Sequence, residues 1–423
     1  MRRGGVQVKR YVRFLAAAFA LALGAGIASA ADVVTITAAV RLDQHQAVVE
    51  AFNASHPHIR VEIQPVSTDF DQMLVQYAAG TGPDVQFLEW YEQIDRFIDA
   101  GVFLPLTPFI ERDGMEAEIA EIPAPVRERF SRNGQLYAIP EYLHMRGVGI
   151  NRQYREEAGL AIPDNNWTWE DFAEYALKLR RTDADGNVTL PGTTINPHWA
   201  VIQGWLGGTG VPVHHPDDPT VINLLAPEHV AAFEFLQEIS RVHGRYPGIA
   251  GGILAGRVAM QDNMASNYAP VMYESPYDFD VAETPVGPGG TRAIVVNDGS
   301  FYINKDTPHP EAAWEFLRFF YSPEGQRVYM NATGFQPARL SLVPEWMDIV
   351  MTRWKMSPEW FQPFINAYAY AQVTHYFGDS QVLLNYLLPA FEQIINDLAP
   401  AAATLEAVIP AANAFLREHQ ARN

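Results

Sequence analysis

The chain contains no cysteine. That excludes disulfides, thiolate-ligated zinc, iron–sulfur clusters and thiol catalysis. It also excludes the acylated cysteine that anchors a bacterial lipoprotein. Positive charge is scarce, with 30 Lys+Arg against 49 Asp+Glu and a net charge of -19. A nucleic-acid binder needs a basic face to neutralise phosphates, so that class is excluded. The GxSxG, HExxH, Walker and GxGxxG signatures are all missing, and with them the commonest hydrolytic and nucleotide chemistries. Metal ligands are not organised either. His56-Pro57-His58 and His214-His215 lie in polar, proline-rich turns and read as solvated histidines. Asp183-Ala184-Asp185-Gly186 has its glycine too early for a calcium loop and reads as a hairpin turn. No metal or cofactor is expected.

What is present is a chain of 423 residues, 48% hydrophobic and 19% charged. That is enough to bury a large core and to form two or three domains of roughly 150 residues. Aromatic residues reach 12%, a high share that calls for a use. The first thirty residues have the layout of a secretory signal peptide. Arg2, Arg3, Lys9, Arg10 and Arg13 precede an apolar run from Phe14 to Ile27, and Ala28-Ser29-Ala30 supplies the small-residue cleavage pattern. The apolar run falls short of the roughly 20 residues that span a bilayer. Cleavage near Ala30 removes five cations and no acid, taking the net charge from -19 to -24. The expected mature protein is soluble, exported to the periplasm and not lipid-anchored.

Beyond Ala31 the pattern alternates. Val33–Val40 is β-branched and continuous, as a buried parallel strand requires. Helix is predicted over Gln46–Ala54, strand over Ile59–Val66, helix over Phe70–Ala79 and strand over Asp84–Leu88. Strand–helix–strand–helix–strand predicts an open α/β sheet, whose ligands sit at the carboxyl ends of the strands. Those ends are Arg41-Leu42-Asp43 and Glu89-Trp90-Tyr91. Thr168 and Asp171 predict a capping box at a helix start. Further helices are predicted over Pro227–Val242 and Pro310–Tyr321, and the last third is mostly helical.

Several landmarks, in order, resemble one family. Ala78–Val85 is similar to an "AxGxxPDV" segment, Gly101–Leu106 to "GxLxPL", and Asn133–Pro140 to "GxxYx(I/L)P". Trp167–Phe172 is similar to "TW(D/E)(E/D)F" and Gly256–Met260 to "G(K/R)xAM". Pro310–Phe320 with Ser322–Gln326, and then Gly334–Arg339, resemble the segments that follow. Together they resemble the sugar-type, maltose-binding-protein-like branch of extracellular solute-binding proteins, the substrate-binding subunits of ABC importers. Two positions depart from the pattern: Ile150 replaces the usual Tyr, and Arg41 follows the first strand.

The resemblance implies an α/β periplasmic-binding-protein fold, with two lobes joined by a multi-crossing hinge. The N-terminal lobe would hold residues 31–143 and 298–343, the C-terminal lobe 144–297 and 344–423. Crossings are expected near Leu143-His144, Asn297-Asp298 with Gly299 giving backbone freedom, and Val343-Pro344. The implied function is capture of a mono- or oligosaccharide and delivery to membrane permease subunits, by a monomer with no catalysis. Candidate sugar-stacking rings are Trp90, Tyr91, Trp199, Trp205 and Tyr273. Candidate polar contacts are Asp43, Glu89, His144, Asp262, Asn297, Asp298 and Arg339. If Arg41, Arg146 and Arg339 all faced the cleft, an anionic derivative such as a glycerol phosphate or sulfosugar would fit instead. Otherwise the three serve as salt-bridge partners in an acidic chain. A secreted carbohydrate-active enzyme is the alternative outside the binding class.

Overall fold

The computed structural model describes residues 33–420 apart from positions 68, 90, 249, 297, 298, 376, 378 and 380. The expected leader, Trp90, Asn297 and Asp298 lie outside the described residues, as does the side chain of Tyr91.

The first sheet follows from the period of its sequence. Strand β1 (Val34–Val40) leads into helix α1 (Leu42–Ser55), which starts four residues earlier than the apolar spacing predicts. The earlier start has a local cause: the Arg41 N–H donates to His45 Nδ1 at 3.0 Å, satisfying a backbone donor at the helix entry. Strand β2 (Ile59–Pro65) alternates buried Ile59 and Val61 with exposed Arg60 and Glu62. Helix α2 (Phe70–Ala78) is capped by Asp69, whose carboxylate accepts from the Gln72 N–H. Strand β3 (Val85–Leu88) is buried throughout, helix α3 (Tyr91–Asp99) follows, and strand β4 (Ile139–Pro140) ends this part. Both β2 and β3 pair in parallel with β1.

The chain then enters a second unit. It runs through β5 (Arg146–Asn151), α4 (Trp169–Leu179), α5 (Trp199–Gly207), α6 (Pro227–His243), β6 (Met260–Ala265), β7 (Phe279–Ala282) and β8 (Ile294–Val295). The capping box at α4 forms as read, with Thr168 Oγ1 accepting from the Asp171 N–H and Asp171 accepting from the Thr168 N–H. Strand β5 lies between β6 and β7, antiparallel to both. Next the chain returns to the first sheet as β9 (Ser300–Ile303), antiparallel to β3 and β4, giving the order β2-β1-β3-β9-β4. Helices α7 (Pro310–Tyr321) and α8 (Pro323–Thr333) pack on α1. Helix α9 (Val343–Trp354), α10 (Pro358–Asn366), β10 (Ala371–Gln372), α11 (Leu388–Ile395) and α12 (Ala401–Gln420) complete the second unit. There β8 pairs with β10, and α11 and α12 pack on α6.

Three stretches connect the units: 141–145, the one that reaches the first sheet at Gly299, and 334–342. They lie side by side. The Glu141 N–H donates to the Gly299 carbonyl at 2.6 Å, the Leu143 N–H to the Gln336 carbonyl at 3.3 Å, and Tyr142 bridges Pro337. Residue 299 has to be glycine. The need is for space: a Cβ there would overlap Glu141 Oε2 and the Phe87 ring. Gly299→Ala is therefore expected to cost about 1–3 kcal/mol, read as a lowered midpoint in urea denaturation.

Candidate functional site

The carboxyl ends of β1 and β3 place three charges together. Arg41 donates to Glu89 Oε2 at 2.5 Å and lies 3.6 Å from Asp43. Partial burial would lower the Arg41 pKa, but Glu89, through its charge and hydrogen bond, and Asp43 outweigh it and raise it. Both partners of the pair are about one-third exposed, at 33% and 30%. Such a pair adds no more than about 1 kcal/mol to stability. The fold does not depend on it. A cavity of about 210 Å³ opens beside it, walled by Val66, Ser67, Phe70, Phe87 and Leu88.

The first connecting stretch carries the site across to the second unit. It is extended, so alternate residues point to opposite sides. Leu143 and Met145 are fully buried on one side, and Tyr142, His144 and Arg146 share the other. The Tyr142 hydroxyl lies 3.4 Å from Glu89 Oε1. Its ring stacks on His144 with centroids 4.0 Å apart and planes at 14°. His144 Nε2 is sealed from solvent and has no hydrogen-bond partner.

Arg146 is the charge around which the second face is built. Its Nε donates to the Val295 carbonyl at 3.0 Å. Burial, followed by Arg146, holds His144 well below the usual histidine range and lowers His198 to about 4. His198 caps α5, with Nδ1 accepting from the Ala200 N–H at 3.2 Å. Asp262 lies where the β5–β6 register slips between Gln261 and Met264, an irregularity that re-aims side chains. It accepts from Trp205 Nε1 at 2.7 Å and Gln261 Nε2 at 3.1 Å. Burial pushes its carboxyl up to about 6, while those donors and Arg146 pull the other way. After β6, buried Ser266 and half-buried Asn267 each keep an oxygen without a partner. Half-buried Tyr268 follows, within the field of Arg146.

Of the sequence candidates, Arg41, Asp43 and Glu89 form the first face, and His144, Arg146 and Asp262 the second. Others lie elsewhere. Trp199 is 1% exposed, stacked on Phe391 at 5.5 Å with its N–H on the His375 carbonyl. Trp205 packs against Trp169 and Phe172 and offers Asp262 its N–H, not a ring face. Tyr273 lies on a short helix, not after a strand, on the rim of a separate surface pocket with Arg152 and Trp354. Arg339 is held by Glu121 at 2.5 Å and lies over the Tyr321 ring. Gly299 is buried against Phe87. Sequence reasoning missed Tyr142, His198, Ser266, Asn267 and Tyr268. A cavity of about 850 Å³ lies between Pro125 of the first unit and the 369–375 stretch of the second, and none of its lining residues belongs to the two faces. Among the described residues no group of three His, Asp or Glu is arranged to hold a metal, and no helix is long and apolar enough to cross a membrane.

Known proteins share the frame that carries these two faces. Residues 38–327 match the family described as bacterial extracellular solute-binding protein. The chain belongs to that family. The arabinooligosaccharide-binding protein of Halalkalibacterium halodurans is 22% identical over 339 residues, 75% of this chain and 73% of that one. The ABC substrate-binding protein Lmo0181 of Listeria monocytogenes, solved with cycloalternan, superposes with a TM-score of 0.76 at 20% identity. The match covers 92% of this chain and 100% of that one. A cyclic alpha-maltosyl-1,6-maltose binding protein of Arthrobacter globiformis gives 0.75 at 17% identity, covering 91% and 99%. The periplasmic-binding-protein fold expected from the sequence is the fold found, two α/β lobes on a multi-crossing hinge. As a family member the protein binds a solute outside the cytoplasm.

The Asp262 carboxyl yields a stability test. Its pKa rises from 3.8 unfolded to about 6 folded. The favourable contribution is complete below 3.8 and is lost as pH rises through 6, so the ionised form opposes folding at neutral pH. Asp262→Asn is expected to gain up to about 3 kcal/mol over the parent at pH 7.5 and nothing at pH 3.5, by urea denaturation.

Proposed function

We propose that the protein captures a neutral mono- or oligosaccharide between two closing lobes and delivers it, unchanged, to an ABC permease. The lobes are residues 31–143 with 298–343, and 144–297 with 344–423. The reading includes export by cleavage near Ala30, a periplasmic location without a lipid anchor, and action as a monomer. The observation that carries it is that carboxylates accompany the arginines on the two faces. The Arg41 guanidinium already has Glu89 and Asp43 beside it. Arg146 faces ionised Asp262, and His198, lowered to about 4, is neutral at pH 7. Among the described residues of the two faces, Arg41 and Arg146 are the cations, and both have carboxylates near them. Sugar hydroxyls both donate and accept, so they can bridge a guanidinium and its carboxylate together. Arg339, committed to Glu121, supplies nothing to an anion here. An arabinooligosaccharide-binding relative and a structural neighbour solved with cycloalternan support a carbohydrate.

Titration calorimetry with neutral malto- and arabinooligosaccharides, and with sn-glycerol 3-phosphate, tests this. Saturable binding is expected for a neutral sugar, recovered intact, with Arg41→Ala weakening it about tenfold at most, about 1.4 kcal/mol. Tight glycerol phosphate binding abolished by Arg41→Ala would establish the anionic reading. Hydrolysis of a bound glycoside would sink the transport reading.

A further inference from the structure

Arg41 opens both the ligand face and helix α1, and its backbone is wired to the hinge through buried polar groups. The Arg41 N–H donates to His45 Nδ1 at 3.0 Å. That leaves the ring proton on Nε2, which faces Glu141 Oε1 at 2.5 Å. The same oxygen accepts the Tyr329 hydroxyl from α8. The Glu141 N–H donates to the Gly299 carbonyl at 2.6 Å. His45, Glu141 and Tyr329 are all 1% exposed or less. Aromatic rings close the cluster, with Phe87 at 4.9 Å and Phe301 at 5.2 Å from His45. Among the described residues Glu141 Oε2 has no hydrogen-bond partner, and it lies against Gly299.

Stability alone does not account for this cluster. A buried carboxylate with an unmet oxygen costs desolvation energy, and well-packed apolar side chains in its place are often as stable or more so. What the carboxylate does that an apolar group cannot is fix direction. It ties α1, the first crossing, the second crossing and the helix before the third crossing to one point. We propose that Glu141 is a positioning residue that couples the Arg41 backbone to the pivot of lobe closure. This rests on the lobe-closure reading above. Closure turns the second lobe about the stretches beginning at Tyr142 and Gly299. Glu141 is the last residue on the first-lobe side of the first of these. Held there by His45 and Tyr329, it keeps the pivot and the ligand face moving as one body. Without it, α1 and the crossing slip against each other, and the free protein samples a wider range of lobe angles.

The absence of cysteine makes the test direct. Val75 and Val271, 67% and 46% exposed and lying on opposite lobes, are replaced by cysteine and spin-labelled. Pulsed dipolar spectroscopy then reads the interlobe distance, free and with a mixture of neutral malto- and arabinooligosaccharides. In the parent a narrow free distribution that shortens with the sugars is expected. Glu141→Ala is expected to widen the free distribution at least twofold and Tyr329→Phe to widen it less. Glu141→Gln, which keeps the acceptor, is expected to stay near the parent. If Glu141→Ala does not fold, Tyr329→Phe carries the test alone. Parent-like distances in folded Glu141→Ala or, failing that, in Tyr329→Phe would overturn the coupling. No shortening in the parent would instead overturn lobe closure itself.

Discussion

The hydrogen bond from the Glu141 amide to the Gly299 carbonyl extends the β4–β9 ladder one step beyond the first sheet. Two of the three crossings are thereby held at fixed spacing where they leave that sheet. The third is added by the Leu143–Gln336 bond and the Tyr142–Pro337 bridge. Because the first crossing is extended from there, its side chains alternate. Tyr142, His144 and Arg146 turn to one side and Leu143 and Met145 to the other. The site is a consequence of that alternation, a line of polar groups running from Glu89 on one sheet to Asp262 on the other.

Charge in this site is arranged in pairs. Each arginine that faces it has a carboxylate nearby, and the histidines near Arg146 are kept neutral by burial and by its charge. Burial makes the second face costly. Asp262 is ionised at pH 7 against its burial, with Trp205 and Gln261 donating to it. A site meant only to be stable would avoid this cost, whereas one that must orient hydroxyls needs fixed donors and acceptors. The strongly acidic surface is a separate matter, bearing on solubility and not on the cleft.

The first sheet was legible in the sequence because its signals are local. A β-branched run, a period-two strand and glycine breaks at Gly80 and Gly82 place three strands and two helices, and strand ends then give Arg41, Asp43 and Glu89. The Thr168–Asp171 capping box was equally local. The second face was half legible. His144, Arg146 and Asp262 were found near crossings and strand ends, but Ser266, Asn267 and Tyr268 depend on an irregular β5–β6 register that no window of sequence shows. Glu141 is next to Pro140 in the chain, yet its partners His45 and Tyr329 are 96 and 188 residues away. Trp199 was read as a stacking ring, and the structure buries it, as a local signal could have indicated. Its helix, Trp199–Gly207, is apolar nearly all round, the mark of a core helix and not of a ligand platform.

The central claim is that two faces whose arginines are accompanied by carboxylates close on a neutral carbohydrate. Native mass spectrometry of the freshly purified protein tests it most directly. The account predicts a co-purified adduct that dissociates as an intact neutral saccharide. An adduct carrying phosphate or sulfonate, or one that is not a carbohydrate, would contradict it.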